Sequence, residues 1–164
     1  MGADLGAGGL WVFFNDTSWV KWHSASPVRI AAGDLDGNGK AELIGDFGAS
    51  GLWARYNNAA TWTKLHAATT QDLAAGDLDG GGKAELIVDF GSSGLWARYN
   101  NASWLRLHTA SPIDIATTDL DGNGMADAVV DFGGSSGLWV RYNNATWTKL
   151  STLLTQGIAA GDFD

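Results

Sequence analysis

The sequence predicts an all-β fold made of tandem four-stranded antiparallel units, and three observations support that prediction. Gly-Leu-Trp recurs at intervals of about 43 residues, and almost nothing lies outside the repeat. Within each interval, apolar and polar residues alternate in short runs, as they do along half-buried strands. The chain holds 23 Gly and 9 Trp but only 2 Pro, a composition typical of short strands joined by tight turns.

The second repeat unit, residues 51–93, shows the predicted elements in order. Its four strands are residues 51–58, 61–65, 72–76 and 84–90. Asn57 and Asn58 supply the first turn, because Asn tolerates a left-handed backbone. An Asp- and Gly-rich loop separates the third strand from the fourth. Each unit is therefore expected to form one antiparallel meander.

The repeat frame predicts a single array over residues 1–164, with three complete units and one partial unit. The approximate units are 9–50, 51–93, 94–136 and 137–164, preceded by a fragment at 1–8. Two arrangements stay open: the blades of a closed β-propeller, and an open β-repeat array or fibre segment. We expect the open segment, continued by more of the same chain or by end-to-end self-association, because nothing near the N-terminus replaces the missing part of the last unit.

Composition and charge argue against several classes of function. The net charge of −8 argues against binding nucleic acid, which needs a basic surface, and against docking on anionic lipid. No apolar run approaches the roughly 20 residues that cross a bilayer, so we expect no membrane insertion. The chain has no Cys, no nucleophile elbow and no phosphate-binding loop, and we expect it not to be an enzyme.

Three Asp- and Gly-rich loops have the composition of calcium sites. Oxygen-bearing side chains recur at loop positions 1, 3, 5 and 9, and position 7 can add a backbone carbonyl. Because Ca²⁺ prefers about 6–8 oxygen ligands, we expect about one Ca²⁺ per complete repeat. The candidate ligands are Asp34, Asp36, Asn38, Lys40 and Glu42, then Asp77, Asp79, Gly81, Lys83 and Glu85, and then Asp119, Asp121, Asn123, Met125 and Asp127.

The calcium loops are not expected to be equal. Gly81 stands where the other two complete loops have Asn, so the second loop lacks one side-chain ligand and should bind most weakly. A fourth loop begins with Asp162 and Asp164 and is incomplete in this sequence.

These loops carry a family resemblance. The motif Asp-x-Asp-Gly-Asn-Gly-x-x-(Asp/Glu), followed by Leu-Ile-x-Asp-Phe-Gly, resembles the FG-GAP/VCBS repeats, and the resemblance extends over essentially the whole chain. Such repeats occur in integrin-type propellers, fungal lectins and secreted bacterial proteins. The resemblance implies calcium-binding loops, a location outside the cell or on its surface, and a role in adhesion, glycan binding or scaffolding.

Two tryptophans recur in every unit, and their role has two interpretations. They can fill the core between neighbouring units, or an exposed set can stack on sugars. The first Trp of a unit shares a predicted strand face with an Arg. The possible glycan contacts are Trp53, Arg55, Trp96, Arg98, Trp139 and Arg141.

Two further sets of polar residues repeat with the unit. Asn15, Asn101 and Asn144 match the Asn-x-Ser/Thr acceptor pattern for N-glycosylation, although Asn and Thr are also good turn residues. The second set shares one repeat position, which does not favour a metal or catalytic role: His23, His66 and His108, with Ser151 in the last unit.

The sequence therefore predicts a non-enzymatic, calcium-stabilised extracellular repeat protein. The favoured interpretation is a structural or adhesive scaffold, a segment of a longer chain or fibre. The alternative from another class is a glycan-binding β-propeller lectin.

Overall fold

The computed structural model describes residues 1–153 and 155–161, and it confirms the all-β prediction. Asp162 and Asp164, proposed as ligands of a fourth loop, lie outside the described residues. Contacts divide the chain into two compact units, residues 1–32 with 41–70, and residues 33–40 with those from 71 onward. Among the described residues, no helix has the length and apolar character needed to cross a bilayer.

The described residues form 15 strands and three single-turn 3₁₀ helices. The strands are β1 Gly2–Asp4, β2 Leu10–Phe14, β3 Ser18–His23, β4 Arg29–Gly33, β5 Glu42–Asp46, β6 Leu52–Arg55, β7 Thr63–His66, β8 Asp72–Gly76, β9 Glu85–Asp89, β10 Leu95–Tyr99, β11 Ser103–His108, β12 Asp114–Thr118, β13 Asp127–Asp131, β14 Leu138–Tyr142 and β15 Thr146–Ser151. The 3₁₀ helices are Gly6–Gly8, Gly48–Ser50 and Gly91–Ser93.

Consecutive strands pair antiparallel into one three-stranded sheet and three four-stranded sheets. The sheets are β1–β2–β3, β4–β5–β6–β7, β8–β9–β10–β11 and β12–β13–β14–β15. Each four-stranded sheet therefore takes two strands from one sequence repeat and two from the next. The strands of residues 51–93 follow the predicted order but belong to two sheets, because residues 67–71 connect β7 to β8 without a tight turn.

The hairpin that joins the last two strands of each sheet turns through two residues with positive φ. Asn57 and Asn58 have φ angles of 52° and 56°. Such a pair is typical of type I′ turns, in which Asn is favoured because its side chain tolerates the left-handed region. The turn predicted at Asn57 and Asn58 is confirmed, and equivalent pairs recur in the other hairpins.

The second strand of each four-stranded sheet is buried along its whole length. All five residues of β5, β9 and β13 are buried. Apolar clusters pack against these strands within each compact unit. The first unit contains a cluster of Leu10, Val12 and Leu43, and the second unit one of Leu78, Ile87, Leu95, Ile115, Ala128 and Val130.

Each of these buried strands ends in a fully buried aspartate that ties two neighbouring segments together. Asp46 Oδ1 accepts the N–H of Gly48, 2.8 Å away, at the start of a 3₁₀ helix. Its Oδ2 accepts the Thr69 hydroxyl at 2.8 Å and the Thr70 N–H at 2.6 Å. Burying a carboxylate is unfavourable unless its oxygens are hydrogen-bonded, and these bonds satisfy that requirement.

Asp131 has the same role in the second compact unit. It accepts the N–H of Gly133 at 2.6 Å and both the N–H and the hydroxyl of Thr155, at 3.0 and 2.5 Å. Burial acts to raise the pKa of Asp131, but the hydrogen bonds from Thr155 and Gly133 together hold that pKa below its ordinary value of 3.8.

We expect Asp131→Asn to lower the free energy of unfolding by about 2 kcal/mol at pH 7, since the charge-assisted bonds are lost. A carboxyl with a depressed folded pKa stabilises the fold above its unfolded pKa, and this contribution disappears as the pH falls through the folded pKa. The difference between parent and variant should therefore shrink below about pH 3.8. Urea unfolding across pH 2–7 measures this difference.

Asp16→Asn, at an exposed turn, is the control and should change stability by less than about 0.5 kcal/mol. Equal stability of parent and Asp131→Asn at pH 7 would contradict the assignment.

Candidate functional site

Acidic side chains converge at the Asp- and Gly-rich loops. In the second compact unit, two groups of three carboxylates each bring one oxygen per residue within 4.8 Å of the others. These groups are Asp77 with Asp79 and Glu85, and Asp119 with Asp121 and Asp127. The first residues of each group lie on the loop, and the last begins a buried strand, as the spacing of positions 1, 3 and 9 predicts.

The aspartate at loop position 1 holds the loop in shape through backbone N–H groups. Asp119 accepts the N–H groups of Gly122 at 2.8 Å, Asn123 at 3.2 Å and Gly124 at 2.7 Å. The bond from Gly124 contributes most to lowering the pKa of Asp119, and burial opposes it. The carboxylate is therefore ionised at neutral pH and available to a cation.

The first loop repeats this internal geometry. Asp34 accepts the N–H groups of Gly37 at 2.8 Å, Asn38 at 3.0 Å and Gly39 at 2.6 Å. Burial acts to raise the pKa of Asp34, but these three bonds and one with Asp36 hold it below its ordinary value.

The acid at loop position 9 is buried and accepts two backbone N–H groups. Glu85 accepts those of Leu78 at 2.9 Å and Asn100 at 3.2 Å. Burial raises the pKa of Glu85 despite these bonds, and the negative charges of Asp79 and Asp77 raise it further. A cation between these carboxylates would remove the repulsion and favour the ionised form. In the first compact unit Glu42 is equally buried and accepts the Asn57 N–H at 3.4 Å.

An Asn of the hairpin turn that was not among the predicted ligands also reaches these clusters. Asn143 donates its N–H to Asp127 at 2.9 Å and its side-chain amide to Asp121 at 3.0 Å. Asn100 donates its side-chain amide to Asp79 at 3.4 Å. The hairpin turn therefore buttresses the acidic loop, and the signal in the sequence was the recurrence of Asn-Asn at one repeat position.

The remaining predicted ligands occupy loop positions 5 and 7. Asn38 and Asn123 accept, through their side-chain oxygens, the N–H groups of Lys40 at 2.9 Å and Met125 at 2.7 Å. Lys83 follows in the second loop, where Gly81 offers no such oxygen. The donor set of carboxylates, amides and carbonyls fits a hard divalent cation, so the loops can hold a metal ion.

A second kind of site is a pocket walled by aromatic rings, and it occurs once in each compact unit. In the first unit a pocket of about 270 Å³ is lined by His23, Ala25, Ser26, Phe47, Ser50, Trp53 and Trp62. In the second unit a pocket of about 520 Å³ is lined by His108, Ala110, Phe132, Ser136, Trp139, Trp147 and Lys149. The positions are equivalent in the repeat, so the same pocket is built twice.

One wall of each pocket is a cluster of three rings with similar centroid distances. In the first unit, the centroid of His23 lies 4.3 Å from Phe47 and 6.0 Å from Trp62. The corresponding distances in the second unit, from His108 to Phe132 and Trp147, are 4.4 and 6.1 Å. Trp62 and Trp147 also pack against the apolar clusters, which fixes this wall to the core.

Another wall is the first Trp of the repeat, which is contacted both at its indole N–H and over its ring face. The Nε1–H of Trp53 donates to Ser50 O at 2.9 Å, and that of Trp139 to Ser136 O at 2.8 Å. A lysine ammonium lies over each ring: Lys64 is 5.3 Å from the Trp53 centroid, and Lys149 is 5.5 Å from that of Trp139.

The arginines proposed as glycan contacts line neither of these two pockets. The Arg55 guanidinium lies 4.2 Å from the Trp22 ring centroid and donates to Trp22 O at 3.1 Å. Arg141 donates to Asn144 O at 2.7 Å, and Arg98 donates to the side chain of Asn101. These side chains hold hairpins and aromatic rings in place.

Trp96, the remaining predicted glycan contact, repeats the anchoring of the other two tryptophans. Its Nε1–H donates to Ser93 O at 2.9 Å, and the Arg106 guanidinium lies 5.8 Å from its ring centroid. It lines neither of the two pockets described.

The three predicted N-glycosylation acceptors lie on hairpin turns, with different surroundings. Asn15 is exposed. Asn101 and Asn144 are half-buried, and their side chains accept hydrogen bonds from Arg98 and Tyr99. Modification stays a prediction for all three, and Asn15 is the acceptor most open to it.

The predicted weakness of the second loop stays a prediction, but the loop differs from the other two at position 5. The distance from the position-5 N–H to the position-3 carboxylate is 2.9 Å at Gly81, against 3.2 Å at Asn38 and 3.3 Å at Asn123. A Cβ at Gly81 would lie 2.7 Å from Asp79 Oδ1, so an Asn there requires that carboxylate to shift.

We expect Gly81→Asn to strengthen Ca²⁺ binding at the second loop by about tenfold, or about 1.4 kcal/mol, because it adds a side-chain oxygen. The reverse change, Asn123→Gly, should weaken the third loop by a similar factor. Calorimetric titration of the chelator-treated protein with Ca²⁺ measures both. Unaltered affinities in both variants would show that position 5 is not a ligand.

Comparison with known proteins supports the fold alone. No protein-family model matches the chain, and no curated protein matches it. The chain is similar to the solved structure of an Agrocybe aegerita lectin, studied for its specific recognition of non-reducing terminal N-acetylglucosamine. The TM-score is 0.59 at 17% sequence identity. The similarity covers 91% of this chain and 51% of the lectin chain, so this chain spans about half the length of its relative.

Proposed function

We propose that this protein is a non-enzymatic glycan-binding protein whose sugar sites are the two aromatic-walled pockets. The observation that carries the proposal is the repetition of one pocket, with the same ring geometry, in two separately packed units.

The chemistry of the pocket suits a saccharide. A sugar ring has apolar C–H faces and a polar rim, and it needs a flat aromatic surface together with a few polar groups. Trp139 provides such a surface, with its orientation fixed by its bond to Ser136 O. The Lys149 ammonium and the Ser136 hydroxyl supply polar groups at the same pocket.

Similarity to a lectin adds support by analogy. The Agrocybe aegerita protein recognises terminal N-acetylglucosamine, and its fold resembles that of this chain. A shared fold does not fix a ligand, so the analogy identifies N-acetylglucosamine as the first sugar to test.

The acidic loops complete the proposal as structural Ca²⁺ sites. Their oxygen-only donor set is the one that Ca²⁺ prefers. Bound metal would remove the repulsion between the carboxylates and would add its binding free energy to the free energy of folding. Millimolar extracellular calcium would fill even weak sites, which agrees with the FG-GAP/VCBS resemblance and with a location outside the cell or on its surface. End-to-end self-association as a scaffold stays a prediction from the repeat alone.

We expect Trp53→Ala and Trp139→Ala, combined, to lower the affinity for N-acetylglucosamine at least tenfold, since each pocket loses one aromatic wall. Trp11→Ala is the matched control, because Trp11 has the same bond to a turn carbonyl, at 2.9 Å, but lines neither pocket. Calorimetry and a glycan array measure binding, with at least two sites expected per chain. Parent protein that binds no saccharide would overturn the proposal.

The calcium part is tested by removing the position-3 carboxylates. In millimolar Ca²⁺, the variant Asp36→Ala with Asp79→Ala and Asp121→Ala should melt several degrees below the parent, because bound metal stabilises only the folded state. In chelator it should melt no lower than the parent, since repulsion within the loops is relieved. A parent whose melting temperature ignores chelator would contradict structural Ca²⁺.

A further inference from the structure

The two pocket histidines have one tautomer imposed by the backbone. Nδ1 of His23 accepts the N–H of Ala25 at 3.0 Å, and Nδ1 of His108 accepts that of Ala110 at 3.0 Å. A backbone N–H can only donate, so Nδ1 carries the lone pair and the neutral ring carries its proton on Nε2. Each ring therefore presents one hydrogen-bond donor.

That donor has no partner among the residues that the structure describes. Among residues 1–153 and 155–161, none accepts a hydrogen bond from Nε2 of His23 or His108. The ring cannot turn away to find one, because Nδ1 is tethered and the face lies 4.3–4.4 Å from a phenylalanine ring. Two equivalent pockets therefore hold an oriented Nε2–H that is free to bind a ligand.

The last repeat shows that accepting this backbone N–H does not require a histidine. Ser151 stands at the position of the histidines, and its hydroxyl oxygen accepts the N–H of Leu153 at 3.0 Å. A serine is therefore sufficient to accept the N–H two residues further on. The imidazole at His23 and His108 adds something that this tether does not require, namely the Nε2–H donor.

The other polar side chains that line the pockets are one lysine and three serines. Lys149 can only donate. The Ser26 hydroxyl donates to Asp4, 2.6 Å away, which leaves its oxygen as an acceptor. Neither pocket has a carboxylate or amide side chain among its described lining residues, so serine hydroxyl oxygens are the acceptors of these side chains. A sugar hydroxyl, which must also donate its own proton, therefore finds only neutral serine acceptors among them, whereas an oxygen that only accepts matches the Nε2–H donor.

We propose that His23 and His108 donate through Nε2–H to an acceptor-only oxygen of the bound sugar, and so select saccharides that carry a carbonyl-type group. The oxygen can belong to an acetamido group or to a carboxylate. This inference rests on the proposed function, because it names the chemistry that the same pockets recognise.

The test uses the full chain with three probes: N-acetylglucosamine, glucuronic acid and glucose. We expect the parent to bind one of the first two at least tenfold more tightly than glucose. Salt distinguishes the two sources of the acceptor, because 0.5 M NaCl should weaken binding of glucuronic acid beside Lys149 and leave N-acetylglucosamine unaffected.

The variant is His23→Asn with His108→Asn. An Asn oxygen can still accept the N–H two residues further on, as Asn38 and Asn123 do, but it has no donor at the Nε2 position. We expect the melting temperature to fall slightly, because the imidazole contacts with Phe47 and Phe132 are lost, and the preferred sugar to bind at least tenfold more weakly, with weak glucose binding preserved. In the parent, the Nε2–H signal should shift on adding the preferred sugar in ¹⁵N-resolved NMR, a change that a purely structural histidine would not show.

The outcomes separate the two proposals. Saccharide binding without preference over glucose, or an Asn variant that binds like the parent, overturns the role of the histidines and leaves a lectin. A parent that binds no saccharide overturns both.

Discussion

Burial of two acids at the ends of the second strand of each four-stranded sheet is the constraint on which the rest of the structure depends. Glu85 and Asp89 are both fully buried at the ends of β9, and the pattern recurs on β5 and β13. Desolvated carboxylates are tolerated only where donors or cations surround them. One end of β9 is therefore surrounded by an acidic loop and a hairpin turn, and the other by the turn at Gly91 and the segment that precedes β12.

This constraint also positions the candidate sugar site. Asp46 accepts the N–H of Gly48, which begins a 3₁₀ helix, and that helix ends at Ser50, whose carbonyl holds the Trp53 indole. The same succession runs from Asp131 through Gly133 to Ser136 and Trp139 in the second compact unit. The pocket wall is thus fixed by a chain of short-range bonds that starts at a buried charge.

Much of this architecture could be predicted from sequence, because repetition multiplies weak local signals. The strand over residues 72–76, the Asn57–Asn58 turn and the acidic clusters of the second and third loops all follow from patterns within one unit. The pockets could not be predicted, because each combines the end of one repeat with the beginning of the next. The ring partner of Arg55 could not be predicted for the same reason, because Trp22 lies in the preceding repeat.

The acidic loops of the second compact unit contact one another directly. Asp34 O accepts the N–H of Ala84 at 2.7 Å, and Asp77 O accepts that of Ala126 at 2.7 Å. A Cβ on Gly76 would lie 2.8 Å from the Cβ of Ala126, so the approach is as close as glycine allows. The repeat of residues 51–93 thus carries one half of this joint on each side. A gene that duplicates or deletes a whole unit regenerates a matching joint, whereas loss of a few residues leaves two halves that do not fit. Such a chain can change its length during evolution only in steps of about 43 residues.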